Sequence, residues 1–289
     1  VGSDAILLAE TTFGLEASSQ LSILAALVVL AVVFMYCRWR PIPRLAHLAR
    51  TGLALVLFTN AASILSYILT GTLPLPRWDV ALATADHALG LNWLDMYQWL
   101  ARHPAIEAGA HVAYWSLGPE MLILLFALEL LGHHNQARAF VLWIMVSAIA
   151  TVGIAILIPA AGPYVYYHLP VAPGNIYVSQ MAGLRDGTLR TINPLYTEGL
   201  VVFPSFHATL AVLCACAARP LRILKIPSLA LSLLIILSAP VEGAHYFIDI
   251  IAGIILAALT VSLPGYIFSS NLRLKKNMRP GNAPVFASK

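Results

Sequence analysis

The sequence predicts an all-α protein, a polytopic membrane helical bundle of about seven transmembrane helices. Three observations carry this prediction. The chain is 60% hydrophobic and 10% charged, with a mean hydropathy of +0.81, where a soluble domain has about 25% charged residues. Its apolar residues fall in runs close to the roughly 20 residues that a helix needs to cross a bilayer. Its Lys and Arg residues gather in alternate connections between those runs. In lipid a helix satisfies its own backbone polar groups. The strict apolar/polar alternation of a membrane barrel does not occur in the sequence.

The first run, 20–36, is followed rather than preceded by basic residues, Arg38, Arg40, Arg44 and Arg50. It therefore reads as a retained helix and not as a signal peptide. The opening Val1-Gly2-Ser3 lacks Met, and whether it is native is left open. The second run is 51–70. A long connection, 71–107, mixes Trp78-Asp79, Asp86-His87, Trp93, Tyr97 and Trp99 with apolar residues. That mixture predicts helices lying in the interface as an aromatic collar, or alternatively the wall of a lipid-entry groove.

The third run, 108–131, contains Glu120, an intramembrane acid that needs a polar partner. That partner is either a substrate headgroup or a hydroxyl on a neighbouring span. Glu129 and His133-His134 read as end-of-helix residues. The fourth run is 139–160. The next connection, 161–201, carries Gly162-Pro163-Tyr164-Val165-Tyr166-Tyr167, Pro170, Pro173-Gly174, Arg185-Asp186-Gly187, Arg190 and Asn193-Pro194. Its Gly and Pro content predicts an ordered loop more than a helix, and loops of this length usually have a function. Arg185 and Arg190 are its only basic residues, and so candidates to bind a phosphate. Runs at 202–218, 227–241 and 244–268 complete the seven.

Thirteen of the seventeen basic residues fall in the segments after the first, third, fifth and seventh runs, and those segments contain no acid. This places the C-terminus in the cytoplasm and the N-terminus outside. The net charge of +4 is then a topology signal and gives no reason to propose a nucleic-acid partner. The implied partners are the lipid bilayer and a membrane lipid substrate; the oligomeric state is not legible. Cys37, Cys214 and Cys216 predict neither a disulfide nor a cysteine metal site.

Two short polar sequences stand at the heads of the fifth and seventh runs, both on the outer side. One is Phe203-Pro204-Ser205-Phe206-His207, the other Glu242-Gly243-Ala244-His245-Tyr246-Phe247-Ile248-Asp249. Four residues apart on a helix, Asp249 can accept a proton from one imidazole nitrogen of His245, leaving the other as a free lone pair. Such a histidine is a base or a nucleophile. Ser205 can cap the fifth helix, whose free N–H groups suit phosphate. His207 can protonate a leaving alkoxide. Glu242, three residues before His245, falls near the same place.

These residues resemble the type 2 phosphatidic acid phosphatase superfamily. Pro204-Ser205-Phe206-His207 is similar to its Pro-Ser-Gly-His motif. Ser238, His245 and Asp249 keep the spacing of its last motif, with Ala239 where that motif has Arg. The bulky Phe206 and the Gly-x-His-Tyr-x-x-Asp form from Gly243 to Asp249 are closest to the branch of inositol phosphorylceramide synthase and related inositolphosphotransferases. Gly162-Pro163-x-x-Tyr166 is a weaker likeness, which makes Tyr166 a candidate substrate-binding residue. The superfamily's first motif, which begins with Lys, is missing, since no Lys precedes Lys225.

The resemblance implies a six-helix phosphatase-like core and a lipid phosphatase or phosphotransferase. His245 would attack phosphorus, Asp249 would hold the imidazole, and His207 would donate and then accept a proton. Ser205, Arg185, Arg190, Tyr166 and Glu120 would contact substrate, and no metal or other cofactor is implied. The expected division is 1–50 for an N-terminal segment with an extra helix and basic loop, 51–269 for the membrane domain and 270–289 for a basic cytoplasmic tail. The expected location is a bacterial inner membrane, with the site on the periplasmic or lumenal side. Two other readings compete. His207, His245 and Asp249 would make a two-histidine, one-carboxylate metal site. A transporter or lipid scaffold would show repeated halves, and the sequence has no such symmetry.

Overall fold

Each of the seven apolar runs coincides with a helix or a helix pair. The computed structural model describes residues 13–40, 43–73, 75–170, 176–193 and 199–277. Val1-Gly2-Ser3, Pro173-Gly174, Pro194, Arg279 and Lys289 lie outside the described residues. In chain order the elements are β1 (Gly14–Leu15), α1 (Ala17–Trp39), α2 (Pro43–Thr72), α3 (Asp79–Ala88), α4 (Trp93–Ala101), α5 (Pro104–Trp115) and α6 (Leu117–Leu130). They continue with α7 (His134–Leu157), α8 (Pro163–Tyr166), α9 (Tyr177–Asp186), β2 (Thr191–Ile192), α10 (Phe206–Ala217), α11 (Lys225–Glu242) and α12 (Phe247–Asn277).

Arg44–Thr72, His134–Leu157 and Lys225–Glu242 are each long and apolar enough to cross a membrane. So is the α5–α6 pair taken together, although it bends by 42°. Pro119 explains the bend: it has no N–H to donate to the carbonyl four residues back, so the helix breaks beside Ser116. Leu27–Cys37, Phe206–Ala217 and Phe247–Ser262 are shorter apolar helices in the places of the first, fifth and seventh runs. Large apolar side chains stay exposed along the spans, such as Leu122, Ile123 and Phe126 on α6 and Leu233 and Leu237 on α11. A bilayer covers such a surface without cost, whereas water does not. The protein is an all-α integral membrane bundle.

α10 is the central helix. It packs against α6, α7, α11 and α12, and Ala208, Ala211, Leu213, Cys214 and Ala217 on it are fully buried. Apolar residues all round a helix are what such a position demands. Twelve residues span about 18 Å, less than the roughly 30 Å of hydrocarbon, and non-helical chain flanks α10 on both sides. The start of α10 lies almost against α12. A Cβ on Gly253 would stand 2.3 Å from the carbonyl oxygen of Ser205, so only glycine permits that approach.

The 161–201 connection departs from the expected loop. It contains the one-turn α8 and the ten-residue α9, and Gly187 closes α9 with a left-handed φ of 84°. A parallel pairing of Gly14 with Thr191 and of Leu15 with Ile192 ties this connection to the segment before α1. The 71–107 connection forms the short helices α3 and α4 and the start of α5. Trp78 and Trp99 are exposed, but Trp93 is buried to 1% among Tyr97, Tyr164 and Tyr167.

Candidate active site

His245 does not sit on a helix. It lies in the turn between α11 and α12, one residue before the helical N-cap, Tyr246. Asp249 is the third residue of α12, and its Oδ2 reaches back to accept the N–H of Tyr246 at 2.8 Å. This is the acid half of a capping box. The expected hydrogen bond from imidazole to Asp249 is therefore corrected. The Nδ1 of His245 is 2.8 Å from the carbonyl oxygen of Val202 and 3.6 Å from Asp249 Oδ2. A carbonyl only accepts, so Nδ1 carries the proton and Nε2 keeps the lone pair. Asp249 thus stands within ion-pair distance of the ring without a hydrogen bond to it, and its Oδ1 has no hydrogen-bond partner among the described residues.

The turn is held from several sides. The N–H groups of Phe247 and Ile248 donate to Asp86 on α3 at 2.9 and 2.8 Å. These are orphan donors of the first turn of α12. Asp79, also on α3, accepts from the Tyr246 hydroxyl at 3.1 Å and from the N–H groups of Ala161 and Gly162 at 3.0 and 2.9 Å. On the other flank the indole of Trp93 donates to the carbonyl of Pro240 at 2.9 Å, and the Tyr164 hydroxyl to that of Val241 at 3.2 Å. Those carbonyls belong to the C-terminal turn of α11, where they also accept the N–H groups of His245 and Ala244 at 3.1 and 3.4 Å. Gly243 is sterically required: a Cβ there would meet the His245 ring at 2.7 Å and the Tyr114 hydroxyl at 2.8 Å.

Ser205 is the N-cap of α10. Its Oγ accepts from Ala208 N–H at 3.3 Å, and its own N–H donates to the Asp249 carbonyl at 2.9 Å. His207 follows in the first turn. Tyr114 of α5 stacks on its ring, with centroids 4.2 Å apart and planes 16° apart, and the Tyr114 hydroxyl is 3.1 Å from His207 Nδ1.

His207 and His245 line one cavity of about 400 Å³. Tyr114, Trp115, Phe206, Tyr177, Glu242 and Gly243 share that lining, and Phe58, Ile144 and Ala148 extend it into the bundle. The structure thus brings together both histidines, with Asp249 and Ser205 supporting them from buried positions.

The remaining candidates lie elsewhere. Glu120 is buried on α6 and accepts the Ser228 hydroxyl of α11 at 2.6 Å, so of the two partners the sequence left open, it has the hydroxyl on a neighbouring span. Arg185 donates to the Leu75 carbonyl at 2.7 Å and lines a smaller neighbouring cavity. The Arg190 guanidinium lies 4.8 Å over the Phe13 ring. Tyr166 packs edge-on against Tyr167 and Tyr246. None of these four lines the cavity of the two histidines. Among the described residues, no group of three His, Cys, Asp or Glu side chains is placed to hold a metal ion.

Sequence reading missed Tyr114, which carries no motif, and the supporting roles of Asp79, Asp86 and Trp93. The only signal for these three was the presence of buriable acids and a Trp in a connection otherwise suited to an interface.

The chain is thus a helical membrane bundle in which two histidines, one in the first turn of α10 and one just before α12, face one cavity. Residues 80–263 match the PAP2 superfamily, and the chain belongs to it. The protein is accordingly an enzyme of the type 2 phosphatidic acid phosphatase kind, acting on lipid phosphoesters in general terms as hydrolase or transferase. Neither the curated proteins nor the solved structures compared with the chain give a match.

Proposed function

We propose that the protein transfers a phosphoryl or phospho-headgroup from a lipid phosphate ester to water or an alcohol through a phospho-His245 intermediate. One observation carries the reading: His207 and His245 line the same cavity, and Val202 occupies the Nδ1 proton of His245. That leaves His245 Nε2 to attack phosphorus. A P–N bond forms, the P–O bond to the leaving group breaks, and His207 gives its proton to the departing alkoxide. In the second half His207 takes a proton from the acceptor, the acceptor oxygen attacks, and the P–N bond breaks. Asp249 stabilises the charge that develops on the His245 ring. Ser205 fixes the start of α10, and with it the height of His207.

The charge asymmetry of the connections supports a site facing the periplasm or lumen and a cytoplasmic C-terminus. The Gly243–Asp249 motif form supports the phosphotransferase side of the superfamily, with residues 51–269 as the membrane domain. Arg185 and Arg190 are positioned to shape the outer connection rather than to touch phosphorus.

The test is turnover by the purified chain on a panel of lipid phosphates and phosphodiesters. Mass spectrometry follows free phosphate, exchanged headgroup and a +80 Da or headgroup-sized adduct on His245, the former being the mass of a phosphoryl group replacing hydrogen, about 80 Da. His245→Ala and His207→Ala are expected to lower turnover by at least about 10³-fold, a loss typical of removing a nucleophile or a general acid. Both variants should insert and purify normally. Near-normal rates in either one reject the assignment.

A further inference from the structure

The cavity contains a fixed anion and lacks a fixed cation. None of its described lining residues is Lys or Arg, while Glu242 contributes a carboxylate. The four arginines on the expected outer side are all engaged elsewhere. Arg77 lies 4.0 Å from Asp79, and Arg102 donates to the Gln98 carbonyl at 3.1 Å. Arg185 is held by Leu75, and Arg190 covers Phe13. The undescribed segments 171–175 and 194–198 contain no Lys or Arg in their sequence.

Glu242 is a built feature and no stray surface acid. Its side chain is 13% exposed, and the Nδ1 of His111 on α5 holds its Oε2 at 2.8 Å. His111, Tyr114 and Trp115 stand three and four residues apart on α5, so they share one helix face. That single face supports Glu242 through His111, supports His207 through Tyr114, and presents Trp115 to the cavity. Glu242 stands three positions before His245, and both residues line the same space.

A phosphate monoester brings close to two negative charges into this space at neutral pH, and a buried anion without a partner is strongly disfavoured. The two histidines can balance one phosphoryl charge, and Glu242 then has only the exposed His111, outside the lining, at ion-pair distance among the described residues. A substrate carrying its own cation resolves the mismatch. We propose that the site selects a zwitterionic phosphodiester, a lipid whose phosphate is esterified to an ammonium-bearing headgroup, with Glu242 receiving the ammonium beside the Trp115 ring. Carboxylate and aromatic face together are a favourable setting for an organic cation. This deepens the phosphoryl-transfer reading and rests on it for the identity of the cavity. Glu242 is the specificity-determining residue, and His111 positions it.

The experiment has a binding arm and a turnover arm. In the binding arm, native mass spectrometry of the full chain carrying His245→Ala measures occupancy by three lipids of identical acyl chains. These are a phosphatidylcholine, a phosphatidic acid and a phosphatidylglycerol. The expected result is at least tenfold preference for the phosphatidylcholine, reduced tenfold or more by adding Glu242→Gln and reduced in the same direction by His111→Ala. Preference for phosphatidic acid or phosphatidylglycerol overturns the proposal. So does a Glu242→Gln variant that changes all three lipids by one common factor. In the turnover arm the wild-type chain is given the same panel. Charge-selective binding with no turnover of any lipid sinks the phosphoryl-transfer reading and spares this one, and turnover without charge selectivity does the reverse.

Discussion

His207 owes its orientation to one side chain from another helix. Tyr114 lies flat on the imidazole and places its hydroxyl 3.1 Å from Nδ1. With Nδ1 accepting that hydroxyl proton, the remaining proton of a neutral ring sits on Nε2, the state a donor to a leaving alkoxide needs. Tyr114→Phe keeps the stacked ring and removes the hydrogen bond alone, which is worth about 0.5–1.5 kcal/mol. The expected outcome is a fall in kcat of about 2- to 10-fold with KM little changed. Tyr114→Ala removes the stack as well and should cost clearly more. An equal effect of the two variants would assign the whole contribution to packing. Asp249 separates in the same way. Asp249→Asn keeps an acceptor for the Tyr246 N–H and loses the charge facing His245, so kcat should fall by about 10²-fold or more while thermal stability in detergent drops by only a few degrees. Stability and activity falling together would make Asp249 a cap alone.

Among the elements, α3 braces the turn that carries His245. Asp79 and Asp86 on this ten-residue helix satisfy the N–H groups of Ala161, Gly162, Phe247 and Ile248. Burial raises the Asp86 carboxyl above its ordinary range, and the two donated N–H bonds offset this only in part. Asp86 is held in place by these two backbone donors, and its loss leaves both without a partner. Asp86→Ala should destabilise the protein by about 2–4 kcal/mol, at about 1–3 kcal/mol for each orphaned group with partial relaxation. Asp86→Asn retains an acceptor and should cost less than half of that. Thermal unfolding in detergent measures both, and indistinguishable midpoints for the wild type and Asp86→Ala would refute the capping role. The site's histidines were legible in the sequence because each stands in a compact motif at the head of an apolar run. The support from α3 was not, because Asp86 lies 161 residues from its partner Phe247 and a one-chain pattern does not encode that contact. The sequence also suggested an imidazole–carboxylate bond from four-residue spacing. That spacing presumes a helix from His245 onward, whereas α12 begins two residues later.

For the whole molecule, hydropathy alone located seven runs, and each one corresponds to a helix or helix pair, since in lipid the spanning segment and the helix are the same physical requirement. Hydropathy missed the break at Ser116, where Gly118-Pro119 gave a local cue, and it overran the start of α10. There Pro204 and Ser205 end the extended chain whose Val202 carbonyl receives His245. Sidedness depends on the Lys and Arg asymmetry, and it decides which pool of substrate reaches the cavity. The native cysteines make it testable, because Cys37, Cys214 and Cys216 are all buried and should react slowly. Arg102 is exposed at the end of α4, on the expected outer side. Ile223 is 87% exposed in the connection between α10 and α11, on the expected inner side. In sealed right-side-out vesicles a membrane-impermeant maleimide should label Arg102→Cys at once and Ile223→Cys only after permeabilisation. Neither position lines the cavity of the histidines, so each variant should keep its turnover and report on a native fold. Labelling in the opposite order would invert the bundle and place His207 and His245 within reach of the cytoplasmic leaflet instead, because both lie at the same end of their helices as α4.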